Sequence, residues 1–236
     1  EEPPVEEPPV EEPPVEEPPV VENTAPMVTA PAPVVIAATG YLSAVERGTA
    51  VASDAEDGEL EVNPDMAGPF RPGRHLVTWT ATDSEGATGT AEQVVTVMPL
   101  VSFQSDQVVG EGSTVTVAVH LSGTAPVYPV VIPYTVSGTA MAPVDHDAVS
   151  GTLYITDGIS EQIQLTIAAD GLTEGDETVV LTMGTLANAA IGTNATHTLR
   201  ITETNVAPRV ALEVMQSGAR TRLVTRGDGQ VTVTAQ

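Results

Sequence analysis

The strongest constraint on this chain is the strict alternation of apolar and polar residues through its middle. Val115, Val117, Val119 and Leu121 occupy every second position, as do Leu153 with Ile155, then Ile163, Leu165 and Ile167, and finally Leu199 with Ile201. A period of two places each set on one face of an extended strand, and the intervening Thr and Gln residues face water. No apolar stripe at the helical period of 3.6 interrupts the pattern. Short strands linked by Gly and Asp turns close most economically as an antiparallel sandwich.

The same period appears earlier. Val77, Trp79 and Ala81 alternate with Thr78, Thr80 and Thr82, Val95 and Val97 share a face, and Pro99 ends that strand. Trp79, the single tryptophan, reads as a core anchor. The expected fold class is therefore all-β: tandem antiparallel Ig-like sandwiches over 23–99 and 100–206. Residues 207–236 read as the truncated start of a further β domain, since about thirty residues cannot bury a core of their own.

Residues 1–22 differ in kind. EEPPV is repeated four times and followed by Val21 and Glu22. Paired prolines fix φ and remove amide donors while paired glutamates repel, so an acidic, disordered or polyproline II linker is expected, acting as a spacer. The repeat contains no P-x-x-P spacing, the pattern that proline-reading grooves use.

Charge and composition exclude several functions. Asp and Glu number 32 against 8 basic residues, all Arg, for a net charge of −24; without the eight repeat glutamates the charge is still −16. Nucleic acid is thus not an expected partner, whereas cations are. The absence of Cys removes disulfides, thiolate metal sites and thiol nucleophiles. No apolar run reaches the roughly 20 residues of a membrane helix. No nucleophile elbow, phosphate loop, dinucleotide fingerprint or HExxH occurs, and 3% aromatic content leaves little to line a sugar-stacking cleft, so no enzyme is expected.

Residues 101–205 closely resemble a Calx-beta domain, through VSFQSDQVVGEGSTVTVAVHLSG, SGTAMAPVDHDAVSGTLYI, IAADGLTEGDETVVLTM and LRITETN. The resemblance implies a calcium site at one end of the sandwich, with ligands falling on Glu111, Asp170, Glu174, Glu203 and Asn205. Calcium takes six to eight oxygens at flexible geometry, which acidic loops at a sandwich tip can supply. The pattern is thinned here: Ser137 stands where the family has a turn aspartate, and Ala169 replaces a further acid. One weakly bound ion, or none, are the two outcomes this leaves open. Residues 23–99 are similar, more loosely, to bacterial Ig-like or HYR-type modules, through NTAPMVTAP, FRPGRHLVTWTATDSEG and VVTV.

Other motifs read as structural. Asp145, His146 and Asp147 are neighbours on an extended run and point to opposite faces, and Asp145 is expected to satisfy backbone amides rather than a metal. Asp176 and Glu177 are expected to support strand entrance. His75, His120 and His197 are expected at surfaces or edges. The acidic stretch SDAEDGELE, Asp54 to Glu61, lacks the register of an EF-hand and reads as a solvated turn. Arg226-Gly227-Asp228 suits a hairpin turn, and the sequon at Asn194 is expected to be unused. The resulting expectation is a non-catalytic spacer or adhesion module of an extracellular bacterial surface protein, monomeric within a larger chain, with calcium and a surface protein or polysaccharide as partners. The rival is an accessory region of a secreted hydrolase, acting as spacer or carbohydrate-targeting module.

Overall fold

The computed structural model describes residues 22–169, 171 and 174–202. Among them there are strands, turns and isolated bridges but no helix, so none could cross a membrane as a long apolar helix. In chain order the strands are β1 (Met27–Thr29), β2 (Val34–Ala37), β3 (Val51–Asp54), β4 (Gly58–Leu60), β5 (Asn63–Pro64), β6 (Gly73–Thr82), β7 (Thr88–Met98) and β8 (Leu100–Phe103). They continue as β9 (Gln107–Gly110), β10 (Thr114–Leu121), β11 (Val130–Gly138), β12 (Gly151–Ile155), β13 (Ser160–Thr166), β14 (Glu177–Met183), β15 (Ala190–Ile191) and β16 (Thr196–Thr202). The linker repeats and the expected C-terminal domain lie outside the described residues.

The described chain divides into two compact units, one of 22–30, 49–65 and 78–92, the other of 31–48, 66–77 and 93–202. In the first, β3 pairs antiparallel with both β1 and β4, and β5 pairs with β6 at Asn63↔Thr80 and Pro64↔Trp79. Trp79 and Ala81 are buried, as their alternation requires. Three of the five acids of SDAEDGELE serve loop geometry. Asp54 Oδ1 accepts the Glu56 and Asp57 amides, Glu56 accepts the Thr24 hydroxyl, and Asp57 accepts the Ser84 amide and hydroxyl. Asp83, 7% exposed, takes the Asn23 amide at 2.9 Å together with the Glu85 and Ala87 amides.

In the second unit β2 runs parallel to β7, from Val34↔Val95 to Ala37↔Met98. Gln93, 1% exposed, donates to the carbonyls of Ala32 and Arg47 at 2.8 and 2.7 Å, a buried polar group satisfied by backbone. The larger part is a sandwich of two sheets, in the orders β13-β10-β8-β15 and β12-β11-β14-β16-β9. Its core gathers the alternating residues: Val115, Val117, Val119 and Leu121 from β10, Ile163 and Leu165 from β13, Val179 and Leu181 from β14, Leu199 and Ile201 from β16. Burial of such side chains stabilises by about 1.5–3 kcal/mol each before entropy is counted.

Two expectations change. Not every pairing is antiparallel, because β15 joins β8 and β16 joins β9 in parallel, each at a sheet edge. Alternation fixes which face is buried but carries no information on strand direction, and the long intervening chain supplies the crossover that parallel pairs need. His197, expected at a surface, is fully buried; its ring nitrogen Nδ1 lies 3.2 Å from the Gln104 carbonyl and its ring 6.2 Å from Phe103. It occupies an inward position of β16, in phase with Leu199 and Ile201. His120 is exposed, and His75 is half-buried.

One turn locks the end of β11 to the start of its neighbour β14. Gly138 ends β11 at φ +139°, where a Cβ would meet the Thr178 carbonyl oxygen at 2.0 Å. Behind it Thr139 and Ala140 donate their amides to that carbonyl at 3.0 and 3.1 Å, and the Thr178 amide donates to Thr139 Oγ1 at 2.9 Å. Only glycine fits this approach. Gly138→Ala is expected to destabilise the protein by about 2–3 kcal/mol or more, read as a lower denaturant midpoint at unchanged slope; a midpoint within error of the native one would refute the close contact.

The Asp83 site makes a pH prediction. The Asn23 amide, opposed by burial and helped by the backbone amides of Ala87, Gly86 and Glu85, holds the Asp83 carboxyl below its ordinary value. A depressed folded value means stability that is present above the unfolded value of about 3.9 and lost as pH falls through the folded one. The stability difference between the native chain and Asn23→Ala should therefore narrow on acidification from pH 6 to below about 4. Parallel thermal melts would check it, and a constant difference would break the linkage.

Candidate metal centre

Four segments of the larger sandwich meet at one end. The β9–β10 turn carries Glu111, and Gly112 at its apex has φ +73° and donates its amide to the Ala168 carbonyl at 3.2 Å. The segment after β13 returns the contact, since Ile167 donates to the Ser113 carbonyl at 2.8 Å. The β11–β12 loop carries Asp145, whose carbonyl accepts the Ala168 amide at 2.8 Å and whose Oδ2 accepts the Met141 amide at 2.6 Å. The approach to β14 carries Glu174, Gly175 at φ +91°, Asp176 and Glu177. The Thr139–Thr178 hydrogen bonds hold that strand start in place, one residue after Glu177.

These segments enclose a cleft lined by Glu111, Asp145, Ile167, Ala168, Glu174, Glu177 and Ile201. Its free space is about 10 Å³, room for one water-sized body. Carboxylate oxygens of Asp145, Glu174 and Glu177 all lie within 4.8 Å of one another. Calcium binds oxygens at about 2.3–2.6 Å, so two ligands of one ion stand no more than about 5 Å apart. The spacing therefore fits a single shared cation, and an all-carboxylate donor set is the chemistry of a hard cation rather than zinc or copper. Asp145 and Glu177 are half-buried and Glu174 exposed, which leaves a route for the ion and for completing waters.

Of the residues expected as ligands, Glu111 and Glu174 line this one cleft. Asp170, Glu203 and Asn205 lie outside the described residues. Asp145 and Glu177 were expected to serve backbone and strand entrance only. Asp145 does accept a backbone amide, but the loop it stabilises also brings its carboxylate to Glu174 and Glu177. Glu177 opens β14 opposite Ile201. The signal for Glu177 was present in the sequence as Glu174 and Glu177 three residues apart around Gly175; Asp145, from the distant loop, had no local signature. Asp176 instead meets the Arg200 side chain.

A family model of the Calx-beta domain matches residues 96–215. Among solved structures the chain is similar to the apo form of the Calx CBD1 domain, at 18% identity and a TM-score of 0.41, covering 45% of this chain and 97% of that one. It is similar to CBD12 from CALX1.2 at 21% identity and a TM-score of 0.41, covering 45% of this chain and 44% of that one, so it spans less than half of that relative. The Calx CBD2 domain follows at 15% identity and a TM-score of 0.38, with 45% and 88% covered. No curated protein matches the chain. The family match takes in more than half of the sequence, and on that ground the protein belongs to the Calx-beta family.

Proposed function

We propose that this chain is a non-catalytic β-sandwich segment that binds one calcium ion weakly in the cleft of its Calx-beta module, within an extracellular, bacterial-type surface protein. The observation that carries the reading is the convergence of Asp145, Glu174 and Glu177, contributed by two segments far apart in sequence, to within 4.8 Å. Calx-beta modules are calcium-binding and non-catalytic, and the cleft supplies the oxygen chemistry that such an ion needs. Glu111 completes the lining, and Asp170, Glu203 and Asn205 are further ligands in this reading.

Three carboxylates held this close repel one another, and a divalent cation between them converts that repulsion into attraction. In this reading the ion ties the β11–β12 loop to the start of β14. Glu203 and Asn205 follow β16 directly, so their participation would stiffen the exit of the module toward whatever follows. The acidic repeat then serves as a spacer, the 23–99 segment as an HYR-type neighbour, and the 100–206 segment as the calcium-responsive module. A surface protein or polysaccharide is the adhesion partner proposed.

Extracellular modules bind calcium at about 10⁻⁴ to 10⁻³ M, so 10 mM calcium should stabilise the native state by about 1.4–2.7 kcal/mol, a rise of several degrees in melting temperature over chelator. Glu174→Gln and Glu177→Gln should each abolish that rise. Asp176→Asn should leave it intact, because Asp176 faces Arg200. An identical melt with and without calcium would remove the ion from the proposal, and a rise surviving both glutamine variants would move it elsewhere.

A further inference from the structure

A second groove has the opposite character. It is about 390 Å³ in volume and is lined by Leu42, Pro69, Phe70, Arg71 and His75 with neighbouring loop residues, a size within the usual span of ligand clefts, about 300–1,000 Å³. All of its lining residues belong to the larger of the two compact units. No acid is among them, in a chain of net charge −24. Arg71 and His75 carry the only polar side chains of the lining.

Two arginines reach this place, and they are used differently. Arg47 donates to the carbonyls of Met66 and Ala67 at 2.6 and 3.2 Å and lies 5.8 Å from the Phe70 ring, so it holds the loop. Arg71 is exposed, and its Cζ sits 4.7 Å from the ring centroid of Tyr41, which is exposed as well. Among the described residues the Arg71 guanidinium has neither a hydrogen-bond acceptor nor a carboxylate partner. The tyrosine face restrains the cation without occupying its N–H donors. The walls are fixed too. Ser43 and Phe70 exchange both backbone hydrogen bonds, at 2.7 and 2.9 Å, which sets the Tyr41–Leu42 segment beside Phe70. His75 Nε2 is 2.8 Å from the Arg71 carbonyl, and its ring lies 5.1 Å from that of Phe70. Gly68, at φ +88°, lets the loop close on Phe70, where a Cβ would stand 3.0 Å from the ring.

We propose that this groove binds a small monocarboxylate with a compact apolar body, an arylacetate or an acid of similar shape. Arginine recognises a carboxylate through paired, charge-assisted hydrogen bonds, and Arg71 has its donors available. The body of the ligand is apolar because hydroxyl or amide groups set against Leu42, Pro69 and Phe70 would lose water without gaining partners. That argues against a sugar here and keeps the groove apart from any polysaccharide contact. One charge suits the site better than many, since the field of a strongly acidic chain repels a polyanion as a whole while a single carboxylate needs only the local cation. The groove shares no lining residue with the acidic cleft, so its occupancy does not rest on calcium.

The test is an NMR titration of the full chain with sodium phenylacetate. Binding should appear with a dissociation constant of about 1 mM or tighter, with the shifts centred on Tyr41, Phe70 and Arg71. Phenylacetamide, which keeps the body and lacks the charge, and acetate, which keeps the charge and lacks the body, should each bind at least about tenfold more weakly. Arg71→Ala should weaken phenylacetate at least about tenfold with the melting temperature unchanged. No binding, equal binding of either control, binding unaffected by Arg71→Ala, or shifts centred elsewhere would overturn the proposal. A peptide ending in a free Phe carboxylate that binds at least about tenfold tighter than phenylacetate would place the occupant in the terminus of another protein and overturn it. So would a concentration-dependent dimer in sedimentation that is lost on Arg71→Ala, which would place a second copy there.

Discussion

The hydrogen bonds between the Thr139 turn and Thr178 are the constraint on which the candidate metal centre depends. One carbonyl, that of Thr178, accepts two amides from residues 139 and 140, while its own amide is received by Thr139 Oγ1. These contacts set where β14 begins, and therefore where Glu177 stands. Asp145 is positioned by a separate set, its carbonyl on the Ala168 amide and its Oδ2 on the Met141 amide. Loop carboxylates are useful as ligands only when a rigid scaffold decides their separation. Here backbone hydrogen bonds within the sandwich make that decision.

The inward faces of the strands were legible in the sequence because burial repeats every second residue, and Val77, Val117 and Leu199 all follow the rule. What the alternation does not encode is partner choice. Nothing local to Gln107–Gly110 indicates that it lies parallel to Leu199–Thr202, because that pairing joins segments some ninety residues apart. His197 misled for a related reason: its polarity suggested a surface, but its phase in β16 put it inside, and the phase won. The site shows the same division. Glu111 and Glu174 came from the family resemblance and do share a cleft, whereas Asp145 is a long-range contribution that a sequence reading credits to its own loop.

Charge is distributed with more structure than the net value suggests. In the smaller unit, Asp54, Asp57 and Asp83 are consumed by amides and hydroxyls of adjoining turns, so these carboxylates build loops there. At the cleft of the larger unit three carboxylates converge instead. Around Phe70 the sign reverses, with arginine stacked on tyrosine. The same residue class thus serves turn geometry at one place and a cation-sized gap at another, and burial with hydrogen bonding distinguishes the two.

The parallel seam between β9 and β16 has a mechanical consequence. β9 lies near the start of the module and β16 at its end, joined in register from Leu199↔Gln107 to Thr202↔Gly110. A force drawing the module's two ends apart acts along these strands in opposite senses, so it loads their hydrogen bonds together in shear instead of peeling them one after another. β16 is also bonded to β14 along its other edge, so slippage at the seam must disturb both of its neighbours. Such an arrangement resists tension better than its modest length of pairing implies.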